Sequence, residues 1–379
     1  LSRPRWGHDS DVGGRRTPWI LGGMAVLGVG GVLAAASIAL VEQNLAAGLA
    51  LMVVSYLLVG VGVGAAGTSL LAMLATYVPE GRRAGAASTV WLMMIRGFVI
   101  TAGTVGSLLD PFTPLRLVTI TASVAGIAFV LSALALFRIE RRLERKQDTE
   151  EKVPFREALR DVWQDDKARA FTVYVFVSML AYSAQDLILE PFAGIVFGLT
   201  PGASTKLAGV QPGGVLVGML LVAFAAGGKG KPRFGSTRSW TVGGCVASGI
   251  SLFALAMAGI AGQEALLRPL VFLLGLSNGA FAVAASGWMR RLAGEQSGRE
   301  GVRMGLWGAA QAMAFALGGF AGTAGVDLVR YFSDLPYLPY IVVFAAEGAL
   351  FWFSARLASR MEPNERSPVV PMGNLGEVS

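Results

Sequence analysis

The chain has 379 residues, 54% of them hydrophobic and only 15% charged, with 50 glycines and a formal net charge of +7. A soluble domain carries about 25% charge, so this composition excludes an ordinary soluble fold, and the apolar content excludes a disordered chain. The single cysteine, Cys245, excludes an intrachain disulfide and a cysteine-rich metal site.

The first notable stretch is GHDSDVGGRR, residues 7–16, pressed against a long apolar run. Its glycines permit a tight turn. Asp11 can cap the adjoining backbone or pair with Arg15 or Arg16, and arginines at a membrane edge anchor orientation.

Ten apolar runs follow, near 19–40, 46–74, 88–109, 116–137, 170–196, 206–227, 240–260, 267–288, 303–326 and 337–356. Each approaches the roughly 20 residues that cross a bilayer as a helix. The runs are continuous rather than alternating, which predicts helices and not barrel strands. The fold class is therefore all-α, a polytopic membrane protein. Lys and Arg then orient it. The segments 1–18, 78–87, 138–169, 228–239, 289–303 and 356–379 hold 27 of them; the alternate segments hold Arg116, Lys206, Arg268 and Arg330 alone. This positive-inside asymmetry places both observed ends in the cytoplasm. The basic balance belongs to topology and anionic lipid, and no nucleic acid is expected.

The longest connection, 138–169, divides the chain into a helical half at 1–137 and a six-helix half at 170–358, with a polar tail at 359–379. Within it Phe155, Leu159, Val162 and Trp163 recur at helical spacing, which predicts either a short amphipathic helix on the membrane or a solvated linker helix. Glycines crowd particular spans: Gly60, Gly62, Gly64 and Gly67 in one, Gly318, Gly319, Gly322 and Gly325 in another, with Gly275 and Gly279 forming a GxxxG. Such faces predict close helix packing.

The pattern Gly7-x3-Asp11-x2-Gly14-Arg15-Arg16 resembles the cytoplasmic loop signature of the major facilitator superfamily, which joins helices two and three of a twelve-helix fold. The resemblance implies that the ten spans are helices three to twelve, that two helices precede Leu1, and that 138–169 joins the halves. GKGKPRFGSTRS, 228–239, falls where the family has a weaker pseudo-repeat, yet lacks its acid. The resemblance also implies that Asp11, Arg15 and Arg16 form a gating contact. A second motif, QDLILEPFAGIVFGL at 185–199, resembles the seventh helix of the PucC/LhaA-like bacteriochlorophyll-delivery branch. The match lies at Gln185, Asp186, Glu190, Pro191, Gly194, Phe197 and Gly198. The stretches RPRWGHDSD and RRTPW fit the same branch.

That resemblance implies a carrier or assembly factor handling bacteriochlorophyll for light-harvesting complexes (LH1/LH2) in an inner, intracytoplasmic or chromatophore membrane. The implied partners are light-harvesting alpha/beta polypeptides, the reaction centre core, chlorophyll synthase and lipids. The magnesium of a chlorin takes an axial ligand, and the only histidine, His8, lies in the first loop. A carboxylate, an amide, a backbone carbonyl, a water or no ligand at all then remains, and the candidate pigment contacts are Asp186, Glu190 and Gln211, with Phe192 and Phe197 beside them. Trp91, Phe98, Trp307 and Phe315 offer further flat surfaces, although lipid or helix packing explains each alone.

Read for their own chemistry, Asp186 and Glu190 stand i,i+4 on one helical face, where membrane acids face a cavity, a partner or a pathway. Pro191 removes a backbone donor and predicts a kink or break. The pair serves either a polar hinge in a ligand groove or a structural network. Arg96 and Glu347 lie near mid-span and are candidates to pair. No enzyme signature appears: GKGKPR lacks phosphate-loop spacing, there is no HExxH, and no free metal is expected. Two other functions remain open, a proton-coupled transporter of a small or amphipathic solute and a structural scaffold in a photosynthetic complex.

Overall fold

In the computed structural model, residues 16–78, 80–137, 166–226, 234–294 and 300–361 are described. Asp11, Arg15 and the segment 155–163 lie outside them. Ten long helices carry the described chain: α1 Thr17–Gln43, α2 Leu45–Tyr77, α3 Glu80–Leu108, α4 Pro114–Leu136, α5 Asp166–Phe197, α6 Pro201–Ala226, α7 Thr237–Ala261, α8 Leu267–Gly294, α9 Glu300–Phe332 and α10 Leu338–Arg360. All ten are long and apolar enough to cross a membrane, in register with the ten apolar runs.

Local chemistry sets several helix ends. Asn44 alone separates α1 from α2; its backbone is extended, and its side chain accepts a hydrogen bond from Ala47 N at 3.1 Å. Thr113 caps α4 in the same way through Arg116 N, with Pro114 in the first turn, where its missing donor costs nothing. Ser236 and Ser239 form a reciprocal capping box on α7, and Gly262 closes that helix at φ 61°, a left-handed conformation that suits glycine.

The described residues form two compact units, one within Leu1–Trp91 and Leu108–Glu150, the other within Leu92–Ser107 and Glu151–Ser379. The division passes through α3, so Leu92–Ser107 fall outside the half expected at 1–137. In the first unit α1 packs on α2 and α4. A methyl group at Gly23 would lie 2.6 Å from Ala66 N, and one at Gly62 would meet Leu27 N at 2.5 Å. These two glycines let the backbones approach. Gly60, Gly64 and Gly67 face open space, so only one of the four crowded glycines serves this contact. Arg16, at the start of α1, donates from Nη1 to the Ala72 carbonyl of α2.

In the second unit α6 pairs with α8, α5 with α9, and α7 with both α10 and α8. The α6/α8 seam has glycine on both sides. Gly275 and Gly279 lie against the carbonyls of Gln211 and Val215, while Gly214 and Gly218 lie against those of Phe272 and Leu276. Gly318 and Gly322 bring α9 onto the backbone of α5 at Leu180 and Ala184. Around these seams sits an aromatic core. Phe171 and Trp307 stack edge to face at 4.9 Å, and Trp307 Nε1 donates to Thr172 Oγ1 at 3.1 Å. A buried indole needs such a partner, since an unmade hydrogen bond costs about 1–3 kcal/mol. Arg238 at the start of α7 donates to the Ser359 carbonyl in the last turn of α10.

A polar layer at mid-depth of the second unit

The residues of interest begin on α5. Gln185, Ile188, Leu189 and Phe192 are buried, while Asp186, Leu187, Glu190 and Pro191 are exposed. The i,i+4 spacing thus places both acids on one exposed face, as the sequence predicts. The assigned helix runs through Pro191 to Phe197, so no break occurs there. Proline still withholds a hydrogen bond from the Leu187 carbonyl.

Other helices bring polar groups to the same depth. Gln185, Gln211 on α6, Ser248 on α7, Asn278 on α8 and Glu347 on α10 each lie within about three residues of the midpoint of their span, or roughly 5 Å along the helix axis. Ser248 Oγ donates to Asn278 Oδ1 at 2.7 Å, tying α7 to α8. The remaining groups are less satisfied. Both amide atoms of Gln185, both carboxyl oxygens of Glu347, Gln211 Nε2 and Asn278 Nδ2 are buried without a hydrogen-bond partner. Asp186 is the common neighbour: the Gln211 amide approaches it without closing a hydrogen bond, and Glu347 and Tyr182 lie within its electrostatic reach.

The structure therefore joins some of the predicted residues and separates others. Asp186, Gln211 and Glu347 come together. The pair between Arg96 and Glu347 is not formed, because Arg96 is exposed and neither Glu347 oxygen has a partner. Phe192 is wholly buried, with ring centroids 4.9 Å from Phe344, 5.3 Å from Phe197 and 5.7 Å from Tyr340. It is a core residue that fixes α5, not a groove wall; Phe197 is half-buried at the edge of the same cluster. Trp307 is likewise core, whereas Trp91, Phe98 and Phe315 are exposed. Sequence reasoning gave Gln185 no role of its own and missed Asn278; a polar side chain at the centre of an apolar run is the signal that marks both. Among the described residues no group of three or more His, Cys, Asp or Glu side chains is placed to hold a metal ion.

Comparison with known proteins shows the family and the fold. The family described as PUCC protein matches residues 1–365. The chain is 47% identical over 379 residues to the bacteriochlorophyll synthase 44.5 kDa chain of Rhodobacter capsulatus, covering 100% of this chain and 87% of that one. It is 30% identical over 364 residues to protein PucC of Cereibacter sphaeroides, covering 91% and 76%. Among solved structures, a D-xylose-proton symporter superposes with a TM-score of 0.60 at 15% identity, over 92% of this chain and 83% of that one. The E. coli fucose:proton symporter gives 0.55 at 15% identity, over 91% and 84%. At that identity the likeness concerns the fold, which is that of the major facilitators. With the family matched over nearly its whole length, the chain is a membrane protein of the PUCC protein family.

Proposed function

We propose that the protein binds bacteriochlorophyll and delivers it during assembly of light-harvesting complexes. The observation that carries this reading is the 47% identity, across all 379 residues, to a relative named for bacteriochlorophyll synthesis. The PucC relatives add weight to it. The pigment is cargo rather than a resident cofactor. Asp186 and Glu190 fit it, because they are exposed carboxylates on one face of an apolar helix, and magnesium prefers oxygen ligands. Gln211 approaches Asp186 from α6, and half-buried Phe197 offers an apolar edge. Arg16 holds α1 to α2 at the cytoplasmic end and takes the latch role expected of the Asp11/Arg15/Arg16 set.

The partners in this reading are the light-harvesting polypeptides, the reaction centre core and the enzyme that completes the pigment. The site of action is a bacterial inner membrane, with both observed ends cytoplasmic. Purification in a mild detergent, followed by an absorption spectrum, tests the proposal. Chlorin absorbance should co-elute with the protein and fall several-fold in the Asp186→Ala, Glu190→Ala double variant. A colourless wild-type preparation from cells making pigment would count against it. Proton-driven uptake of a small solute by a pigment-free preparation would favour the transporter reading instead.

A further inference from the structure

We infer that Glu347 is a buried proton-binding site at mid-depth of the second unit, and that Asp186 is the exposed group through which that proton exchanges. Glu347 is 2% exposed, and both of its carboxyl oxygens lack a hydrogen-bond partner. An ionised carboxylate in that setting is far more costly than a neutral one, because neither a cation nor a donor compensates the charge. Among the described residues no ion pair joins Glu347 or Asp186 to a basic residue; Arg96 on α3 and Lys206 on α6 are both exposed.

Asp186 differs from Glu347 in each respect that matters. It is exposed, it lies beside the Gln211 amide, and it is within electrostatic reach of Glu347. It carries a negative charge at lower cost than Glu347 does. The other titratable groups nearby are Tyr182 and Glu190, both on α5. On α7, Cys245 is engaged with Tyr174 at 3.9 Å, and Arg238 in the first turn is bonded to the Ser359 carbonyl. From α9, Asp327 and Arg330 pair with each other at 3.4 Å near the helix end. The exchange is a simple transfer: the O–H bond of Glu347 breaks and one forms on Asp186. The negative charge passes to Glu347 until a proton returns by the same route. The Gln211 amide lies beside Asp186, and its Nε2 is unpartnered. It is a neutral donor that can turn toward Asp186 when that carboxyl is charged.

The inference does not depend on the pigment reading, and its test needs no pigment. Infrared spectra of the purified full chain in lipid nanodiscs should show a protonated-carboxyl stretch near neutral pH that shifts in deuterated water. Glu347→Gln should abolish that band, with the fold retained because glutamine mimics the neutral acid. Asp186→Asn should keep the band but slow its deuterium exchange on the order of 100-fold, the contribution expected of a positioned proton-transfer group. Glu190→Gln should alter neither. A band that survives Glu347→Gln, or exchange unaffected by Asp186→Asn, would overturn the assignment. So would a band that appears only when sodium is replaced by a large organic cation, because the occupant would then be a metal ion.

Discussion

Gln185 is the residue whose surroundings are hardest to reconcile with packing alone. It is wholly buried, and neither end of its amide has a partner. Leaving such a group unsatisfied costs about 1–3 kcal/mol. Gln185→Leu, of similar volume, should therefore preserve or raise the thermal midpoint of the purified protein. If Gln185 serves the polar layer, the same variant should lose bound chlorin, measured as absorbance per protein. Stability and function would move in opposite directions, an outcome that a merely structural glutamine does not produce. Trp307 is the contrasting case. Its ring packs on Phe171 and its Nε1 is satisfied by Thr172. Trp307→Ala should destabilise by about 3–5 kcal/mol, read by chemical denaturation in detergent.

At the scale of helices, Arg16 and Arg238 play matching parts. Each stands at the first turn of a helix, and each donates to a carbonyl near the end of another helix of its own unit. A hydrogen bond from a charged donor is worth about 1.5–3 kcal/mol. Arg16→Ala and Arg238→Ala should each loosen these helix ends, seen as faster amide exchange at Ala72 and Ser359 while mid-span amides keep their protection. The existence and approximate placement of the ten helices were legible in the sequence, since twenty apolar residues in a row have few alternatives, whereas ends such as Glu80 and Phe332 lie six to eight residues beyond the apolar runs. What could not be read was rotation. Gly62 and Gly64 look alike in the sequence, but only the first faces α1. Arg96 and Glu347 sit at matching depth, yet pairing requires both helices to turn toward each other. That setting depends on contacts made throughout the unit, and here it leaves Arg96 exposed and Glu347 enclosed. Phe192 was misjudged for the same reason. Gly214 and Gly218, by contrast, share the Gly-x3-Gly spacing of Gly275 and Gly279, and could have been found.

For the whole molecule, the distribution of basic residues predicts a topology that is open to direct test. Cysteine labelling is well suited to it because the native Cys245 is wholly buried. Asn44→Cys and Gln263→Cys should react with an impermeant maleimide added to intact cells. Ser236→Cys should react only after the membrane is opened; the reverse pattern would invert the topology. The glycine seam between α6 and α8 has one last consequence, written in heredity rather than mechanics. Even a methyl group at Gly214, Gly218, Gly275 or Gly279 would overlap a carbonyl of the opposite backbone, and backbone cannot swing aside as a side chain can. In a saturation library selected for pigmented colonies, these four positions should survive only as glycine. Gly243 and Gly287, which face open space, should drift freely. The boundary between forbidden and permitted alphabets would then trace the line where two helices touch.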